Sequence, residues 1–276
     1  MNKISIEVQP DACFVYHMLS VARCGYDNDY GAAHRHLHDP ADLTVLKDNE
    51  RLLTVAGGEH CGALYWPLIA VPARGEQPAD ETYRTLLERA EGEHRDIIVA
   101  VCRAMLRAYP AYMKQVYPQS RAALEPYALQ TASLLGDFTD RAEALIGRSL
   151  PVPCFHALLV DSTAWGAEGI DISESQDVFG IDRTPEEEAL LIEHEYVIYL
   201  LKEALRGTTA FQLDAWALTE GLASHYLAQL VGDGPVEELF AQHRSMRQAY
   251  RQLHEAHPAA SARELYLLQA QKSSLA

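Results

Sequence analysis

The chain has 276 residues, of which 48% are hydrophobic and 22% are charged, and its formal net charge is −16. This composition is that of a globular protein and excludes a disordered chain. So negative a surface repels phosphate backbones and anionic lipid headgroups, which argues against nucleic acid and membranes as partners.

The N-terminal half is predicted to be mainly helical after one short strand at residues 3–8. A continuous helix is predicted from Asp80 to Ala108, because apolar residues recur there at every third or fourth position. A second helix is predicted from about Arg121 to Ile146, with Gly147 ending it. No sequence motif in this half indicates a function.

Three histidines, His34, His36 and His38, alternate along the segment AHRHLHDP. In an extended chain they would face one side and form a metal-binding patch. The pair Asp39-Pro40 that follows them favours a solvated loop instead.

Cysteine usage and the N-terminus indicate the compartment. The five cysteines are odd in number, widely scattered and never in a CxxC spacing, so we expect reduced thiols rather than disulfides or a cysteine zinc site. The first residues, MNKISIEVQPDACF, lack the apolar core and cleavage site of a secretory signal. The longest apolar runs are too short to span a bilayer. Together these features predict a cytoplasmic protein.

The pattern changes near residue 150, where strands are first mixed with helices. Residues 153–161 are predicted to form a strand, and residues 169–181 either one bent strand or a hairpin. We therefore predict an α+β fold, predominantly α-helical, with a boundary near residue 150. A helical region would span residues 1–150, and a small sheet packed on helices would belong to residues 151–276.

The helix that follows has a strong start signal. Thr184 can cap it, Pro185 suits the first helical position, and Glu187 completes a capping box. Gly207 then supplies the stop. The apolar stripe of this helix carries His194 and Ile198, so both side chains are predicted to point into the protein.

A second helix, from about Leu213 to Val231, presents Glu220, Gly221 and Ser224 along one side. Small residues at such positions let a neighbouring helix approach closely. They also leave room for the Glu220 carboxylate, which when buried needs a partner, a metal ion or a proton.

The segment HEYVI at residues 194–198, followed by EGLA at 220–223, resembles the gluzincin zinc metallopeptidases, which place HExxH on one helix and a glutamate on the next. The resemblance covers roughly residues 150–232. It implies that His194 and Glu220 bind zinc and that Glu195 activates a water molecule. It also implies that the extended segment 169–181 is an edge strand that pairs with a peptide substrate.

Ile198 stands where the family has its second histidine ligand, and isoleucine cannot bind a metal ion. His156 and His225 are the candidates for a replacement ligand. His225 lies about 140° around its helix from Glu220, which points it elsewhere. The sequence thus predicts a degenerate zinc site that lacks one standard ligand.

Two functions follow from this resemblance. The chain is either a metal-dependent hydrolase with an altered ligand set or a non-catalytic pseudo-peptidase that binds a peptide or small molecule in the former active-site cleft. A chance match in a helical enzyme of another class is the third interpretation. If the polar atoms of His194 and Glu220 lie more than about 6 Å apart, they cannot share one ion, since zinc bonds are roughly 2 Å long.

Overall fold

The computed structural model describes residues 3–56, 60–163, 169–212 and 215–274, and it confirms an α+β fold that is predominantly helical. The strands are Ile4–Glu7 (β1), Val55–Ala56 (β2), His60–Cys61 (β3), Phe155–Val160 (β4), Ile170–Ser173 (β5) and Gln176–Gly180 (β6). The first helices are Pro10–Val21 (α1), Asp29–His34 (α2), Pro40–Asp48 (α3), Glu50–Leu53 (α4), Val71–Ala73 (α5), Ala79–Arg89 (α6) and Arg95–Gln115 (α7). The later ones are Tyr117–Leu134 (α8), Phe138–Ile146 (α9), Pro185–Ala204 (α10), Trp216–Val231 (α11), Asp233–Leu239 (α12), Arg244–Ala256 (α13) and Ala262–Ser274 (α14).

The chain forms two compact units, and each is discontinuous in sequence. Unit 1 comprises Met1–Ser5, Thr131–Phe155 and Thr184–Ala276. Unit 2 comprises Ile6–Gln130 and His156–Arg183. The divisions fall after Ser5, Gln130, Phe155 and Arg183.

Unit 2 is built around α1. Every residue of this helix after Pro10 is buried, which suits a helix covered on all sides. It packs against α2, α3, α5 and α7, all of which belong to the same unit.

The main sheet has four strands in the order β1-β4-β6-β5. β4 pairs with β6 in parallel, with Leu158 opposite Val178. β5 and β6 form an antiparallel hairpin with an irregularity between Asp171 and Ser173. Residues 169–181 thus contain a hairpin rather than one bent strand, and β5 lies at the edge of the sheet.

Two helices that were predicted to be continuous are broken by glycines. The stretch from Asp80 to Ala108 is divided between α6 and α7, and Gly92 in the connection has a φ of 78°. The stretch from Arg121 to Ile146 is divided between α8 and α9 at Gly136, with a φ of 51°. Both glycines adopt the left-handed conformation that other residues avoid, and apolar periodicity alone does not reveal it. The predicted stop at Gly147 is confirmed.

Unit 1 has α11 at its centre, packed against α9, α10, α12, α13 and α14. The N-terminus of α10 is formed by the predicted capping box, in which the Glu187 amide donates to Thr184 Oγ1 and the Thr184 amide donates to Glu187 Oε2. On another face of α10, Tyr196 packs among the rings of Phe138 and Phe155. α10 also packs directly against α11.

No helix in the described ranges combines the length and the apolar character that crossing a membrane requires.

Candidate functional site

The middle of α10 carries the histidine of the motif into the core of unit 1. His194 is only 2% exposed, and Ile198, one turn further on the same face, is equally buried. Isoleucine therefore fills the position at which the resemblance expects a metal ligand. Both residues point inward, as the apolar stripe predicts.

The neighbouring helix α11 supplies a carboxylate next to this histidine. Glu220 Oε2 lies 3.4 Å from His194 Nε2, and the Glu220 side chain is 13% exposed. This distance is well below the separation of about 6 Å beyond which the two could not share an ion. The two sequence segments that carry the resemblance are therefore adjacent in space.

A third side chain, His243, completes the group. It ends the short 3-10 turn Ala241–His243 that leads into α13. His243 Nε2 lies 3.5 Å from Glu220 Oε2, so two imidazole nitrogens face one carboxylate oxygen. The His194 and His243 rings are nearly parallel, 8° apart in plane, and Phe240 stacks on His194 with a centroid distance of 4.4 Å.

The other ring nitrogen of His194, Nδ1, faces the carboxylate of Glu195. This atom lies 3.4 Å from Glu195 Oε1, at hydrogen-bond distance. Nε2, which is buried, has no hydrogen-bond partner among the described residues. A neutral imidazole carries one ring proton. In the tautomer whose Nδ1–H donates to Glu195, Nε2 presents a lone pair to Glu220, and a cation between the two atoms would be bound by both.

Both histidines favour their neutral forms. Burial lowers the pKa of His194, and the Glu220 carboxylate acts against that shift. Burial, together with His194 and Arg247, lowers the pKa of His243 to about 4. Neutral imidazoles and an ionised carboxylate are the protonation states in which these residues bind metal ions.

The distances in this group are compatible with one shared ion. Two ligand atoms bound to a tetrahedral zinc ion at about 2.0 Å lie about 3.3 Å apart, close to both nitrogen–oxygen distances at Glu220. As the side chains stand, however, no group of three or more His, Cys, Asp or Glu within the described ranges could hold a metal ion. A site made of His194, Glu220 and His243 therefore requires a side-chain adjustment. His243 is the most exposed of the three, at 20% of its side chain.

The two replacement ligands suggested by the sequence lie elsewhere. His156 belongs to unit 2, where its Nδ1 contacts Glu7 Oε1 at 2.6 Å. His225 lies in unit 1, but its Nε2 is 3.0 Å from His254 Nδ1 on α13. The structure brings together His194, Glu195 and Glu220, and it adds His243 instead of either candidate.

The predicted loop at His34, His36 and His38 is wrong. These residues lie in α2, in the 3-10 turn Arg35–Leu37 and just beyond it. His38 is buried, and its Nε2 is 2.8 Å from Nε2 of His17 in α1. A partner elsewhere in the chain, which a local pattern does not show, draws His38 inward.

Sequence reasoning missed His243 and Phe240. His243 lies 23 positions after Glu220, beyond α12 and at the end of an irregular turn, so no helical spacing relates it to the motif. The resemblance ends near residue 232 and does not reach either residue. The only signal in the sequence that could have pointed to His243 is the ligand missing from the motif, which suggests a replacement histidine later in the chain.

The chain was compared with known protein families, curated proteins and solved structures. No protein-family model, curated protein or solved structure matches the chain. What the site can do therefore has to be argued from its own residues.

Proposed function

We propose that this chain is a metal-dependent hydrolase of the metallopeptidase-like kind, with an altered ligand set of His194, Glu220 and His243. The observation that carries the proposal is the buried His194 Nε2, which faces Glu220 Oε2 at 3.4 Å while His243 Nε2 approaches the same oxygen at 3.5 Å. The likeness of HEYVI and EGLA to gluzincin motifs supports the same assignment. His243 would replace the ligand that is missing at Ile198.

The remaining contacts suit this role. The contact between Glu195 and His194 Nδ1 fixes the ring and leaves Nε2 as the coordinating atom, as carboxylates next to metal-binding histidines commonly do. Phe240 covers one face of the His194 ring and limits its rotation. A zinc ion bound here would act as a Lewis acid and lower the pKa of a bound water molecule.

Glu195 is the chain's candidate general base. Its side chain is 15% exposed, against 2% for His194, so it is the more accessible of the two. To accept a proton from water, the carboxylate has to exchange its contact with His194 Nδ1 for one with the reacting water. Glu195 therefore has two tasks, orienting the ring and taking up a proton.

A peptide or small molecule is the proposed substrate class, since the formal charge of −16 disfavours nucleic acid. A cytoplasmic location belongs to the same proposal. It rests on the cysteines, because Cys13, Cys24 and Cys102 are buried thiols that form no disulfide among the described residues.

Zinc binding by the histidine that the motif does not contain tests the proposal. We expect about one zinc per chain in the purified protein by elemental analysis, and a zinc affinity at least about tenfold weaker in His243→Gln. His257→Gln, which changes an exposed histidine at the end of α13, is the matched control and should bind zinc like the unchanged protein. Equal affinity in all three proteins, or no bound zinc in zinc-containing buffer, contradicts the ligand set.

A non-catalytic pseudo-peptidase is the second candidate, and Ile198 favours it, because a buried isoleucine occupies the place of a ligand. Activity separates the two candidates. The hydrolase proposal expects zinc-dependent cleavage of a mixed peptide pool, and Glu195→Gln should lower the cleavage rate at least about a hundredfold. Zinc binding without cleavage supports the pseudo-peptidase, and a Glu195→Gln variant that cleaves at the original rate contradicts the role of Glu195 as general base.

A further inference from the structure

A second pair of histidines lies in unit 1, where α11 packs against α13. His225 Nε2 is 3.0 Å from His254 Nδ1, and the side-chain nitrogen of Gln229 lies 2.8 Å from the first atom and 3.3 Å from the second. The two imidazole nitrogens and the amide nitrogen of Gln229 therefore lie within 3.3 Å of one another. Two neutral imidazoles whose nitrogens face each other share at most one proton, and a metal ion can take the place of that proton.

This pair lines a pocket of about 520 Å³. His225 is 4% exposed and forms the floor, while His254 is half-buried and Gln229 and Glu255 are exposed. The pocket is therefore reached from solvent, whereas His194 is only 2% exposed. An ion can enter without any opening of the fold.

The side chains that line the pocket carry charges of both signs. Asp233 and Glu255 contribute two negative charges, and Arg251 contributes one positive charge. Arg251 is paired with the Asp233 carboxylate, which offsets its charge in part. The lining therefore carries one more negative charge than positive charges.

We propose that His225 Nε2 and His254 Nδ1 form a two-histidine binding site for a divalent late transition-metal ion, separate from the group around His194. Two ligands bound at about 2.1 Å and at a right angle lie about 3.0 Å apart, which is the separation of these nitrogens. The described residues contain no group of three or more ligand side chains that could hold an ion, so water completes the coordination. Copper(II) binds such nitrogen sites most tightly among the divalent ions and is the best probe.

Copper(II) titration of the full chain, followed by electron paramagnetic resonance, tests the site. The unchanged protein should bind a copper equivalent whose spectrum shows coupling to two imidazole nitrogens. His254→Gln should weaken that equivalent at least about tenfold and remove the coupling to one nitrogen. Because His254 is half-buried, this variant is expected to fold, and circular dichroism verifies it.

Two further variants make the result specific. His257→Gln alters an exposed histidine three positions from His254 and should leave copper binding unchanged. His243→Gln alters the group around His194 and should also leave this equivalent in place, so the two metal sites can fail independently. If His254→Gln and His225→Gln, both folded, bind copper with unchanged affinity and spectrum, the pair is only a structural hydrogen bond and the proposal is wrong.

Discussion

Glu193 and His194 are adjacent in α10, and burial shifts the pKa of each away from its charged form. It raises the pKa of Glu193 to about 8, with the Arg141 guanidinium acting against the shift, and it lowers the pKa of His194. The cause is the same in both cases, because a buried charge loses its hydration. At neutral pH this turn of the helix therefore carries a neutral carboxyl beside a neutral imidazole.

Replacing Glu193 by glutamine should stabilise the protein in alkaline solution. The folded-state pKa of Glu193 lies above the unfolded value of about 4.3, so the folded state binds more protons between these two values. The free energy of unfolding then falls as the pH rises towards 8, and Glu193→Gln removes this loss. We expect the variant to be roughly 1–4 kcal/mol more stable at pH 9, measured by urea unfolding.

The control for this experiment is Glu186→Gln, an exposed glutamate in the first turn of the same helix. Its pH profile of stability should follow that of the unchanged protein. A Glu193→Gln variant with the same pH dependence as the unchanged protein would show that Glu193 is ionised without cost.

His243 shows why a site residue can escape sequence reasoning. His194 and Glu195 are joined by their positions on one helix, and Glu220 follows on the next. His243 reaches Glu220 only because α12 and a short turn bring the chain back to α11. The path of the chain back to α11 depends on the packing of the helices, and the spacing of residues in the sequence does not reveal it.

At the scale of elements, the close approach of α11 and α13 depends on Gly221. A methyl group built at Gly221 would stand 2.1 Å from Met246 Cγ and 2.5 Å from Met246 Cβ. The small residues beside Glu220 were predicted to admit a neighbouring helix, and Met246 on α13 occupies that space. Because α13 begins directly after His243, this contact also positions the third member of the site.

Gly221→Ala should therefore destabilise the protein, although alanine favours helix by about 1 kcal/mol. Overpacking of this kind costs about 1–3 kcal/mol, and we expect a net loss of roughly that size in thermal or urea unfolding. Gly234→Ala is the control, since a methyl group there would meet no described atom within 4 Å. Met246→Ala in the Gly221→Ala background should restore part of the lost stability; if it restores none, the clash is not the cause.

Ile198→His tests whether α10 can supply the second zinc ligand that the resemblance to metallopeptidases implies. A histidine at this position shares a helix face with His194 one turn away, as two zinc ligands on one helix do. If the site keeps its geometry, zinc affinity in chelator competition should rise at least about a hundredfold. Ile198→Gln is the matched control, because it adds polarity without a good zinc ligand. Equal affinities in the two variants would mean that the packing around residue 198 no longer admits a metal ion.

At the scale of the whole molecule, buried neutral histidines in both units make the fold sensitive to acid. Burial lowers the pKa of five histidines, two of them to about 4: His17, His38, His194, His225 and His243. The unfolded chain, with histidine pKa values near 6.5, binds more protons than the folded chain below that pH. The stability that these groups contribute is therefore present above about pH 6.5 and is lost as the pH falls.

We expect the free energy of unfolding to decrease steadily between pH 6.5 and 4. Glu193, Asp11 and Asp161, whose pKa values burial raises, oppose this trend, and the five histidines act in the other direction. His225→Gln should make the decrease shallower, because it removes one of the two groups with a pKa of about 4. Urea unfolding at half-unit pH steps measures the slope. A constant stability across this range would show that the histidines can be protonated inside the folded protein.

The sequence alone determined the fold class, the start of α10, the inward direction of His194 and Ile198, and the glutamate on the following helix. These properties depend on local rules, namely apolar periodicity, capping residues and the positions that share a helix face. Packing decided the division into two units, the breaks at Gly92 and Gly136, and the approach of His243 to Glu220. Each of these depends on residues far apart in the chain or on backbone conformations that periodicity does not report. Only half of the candidate site could therefore be predicted: its two helices follow from local pattern, and the approach of His243 follows only from tertiary contacts.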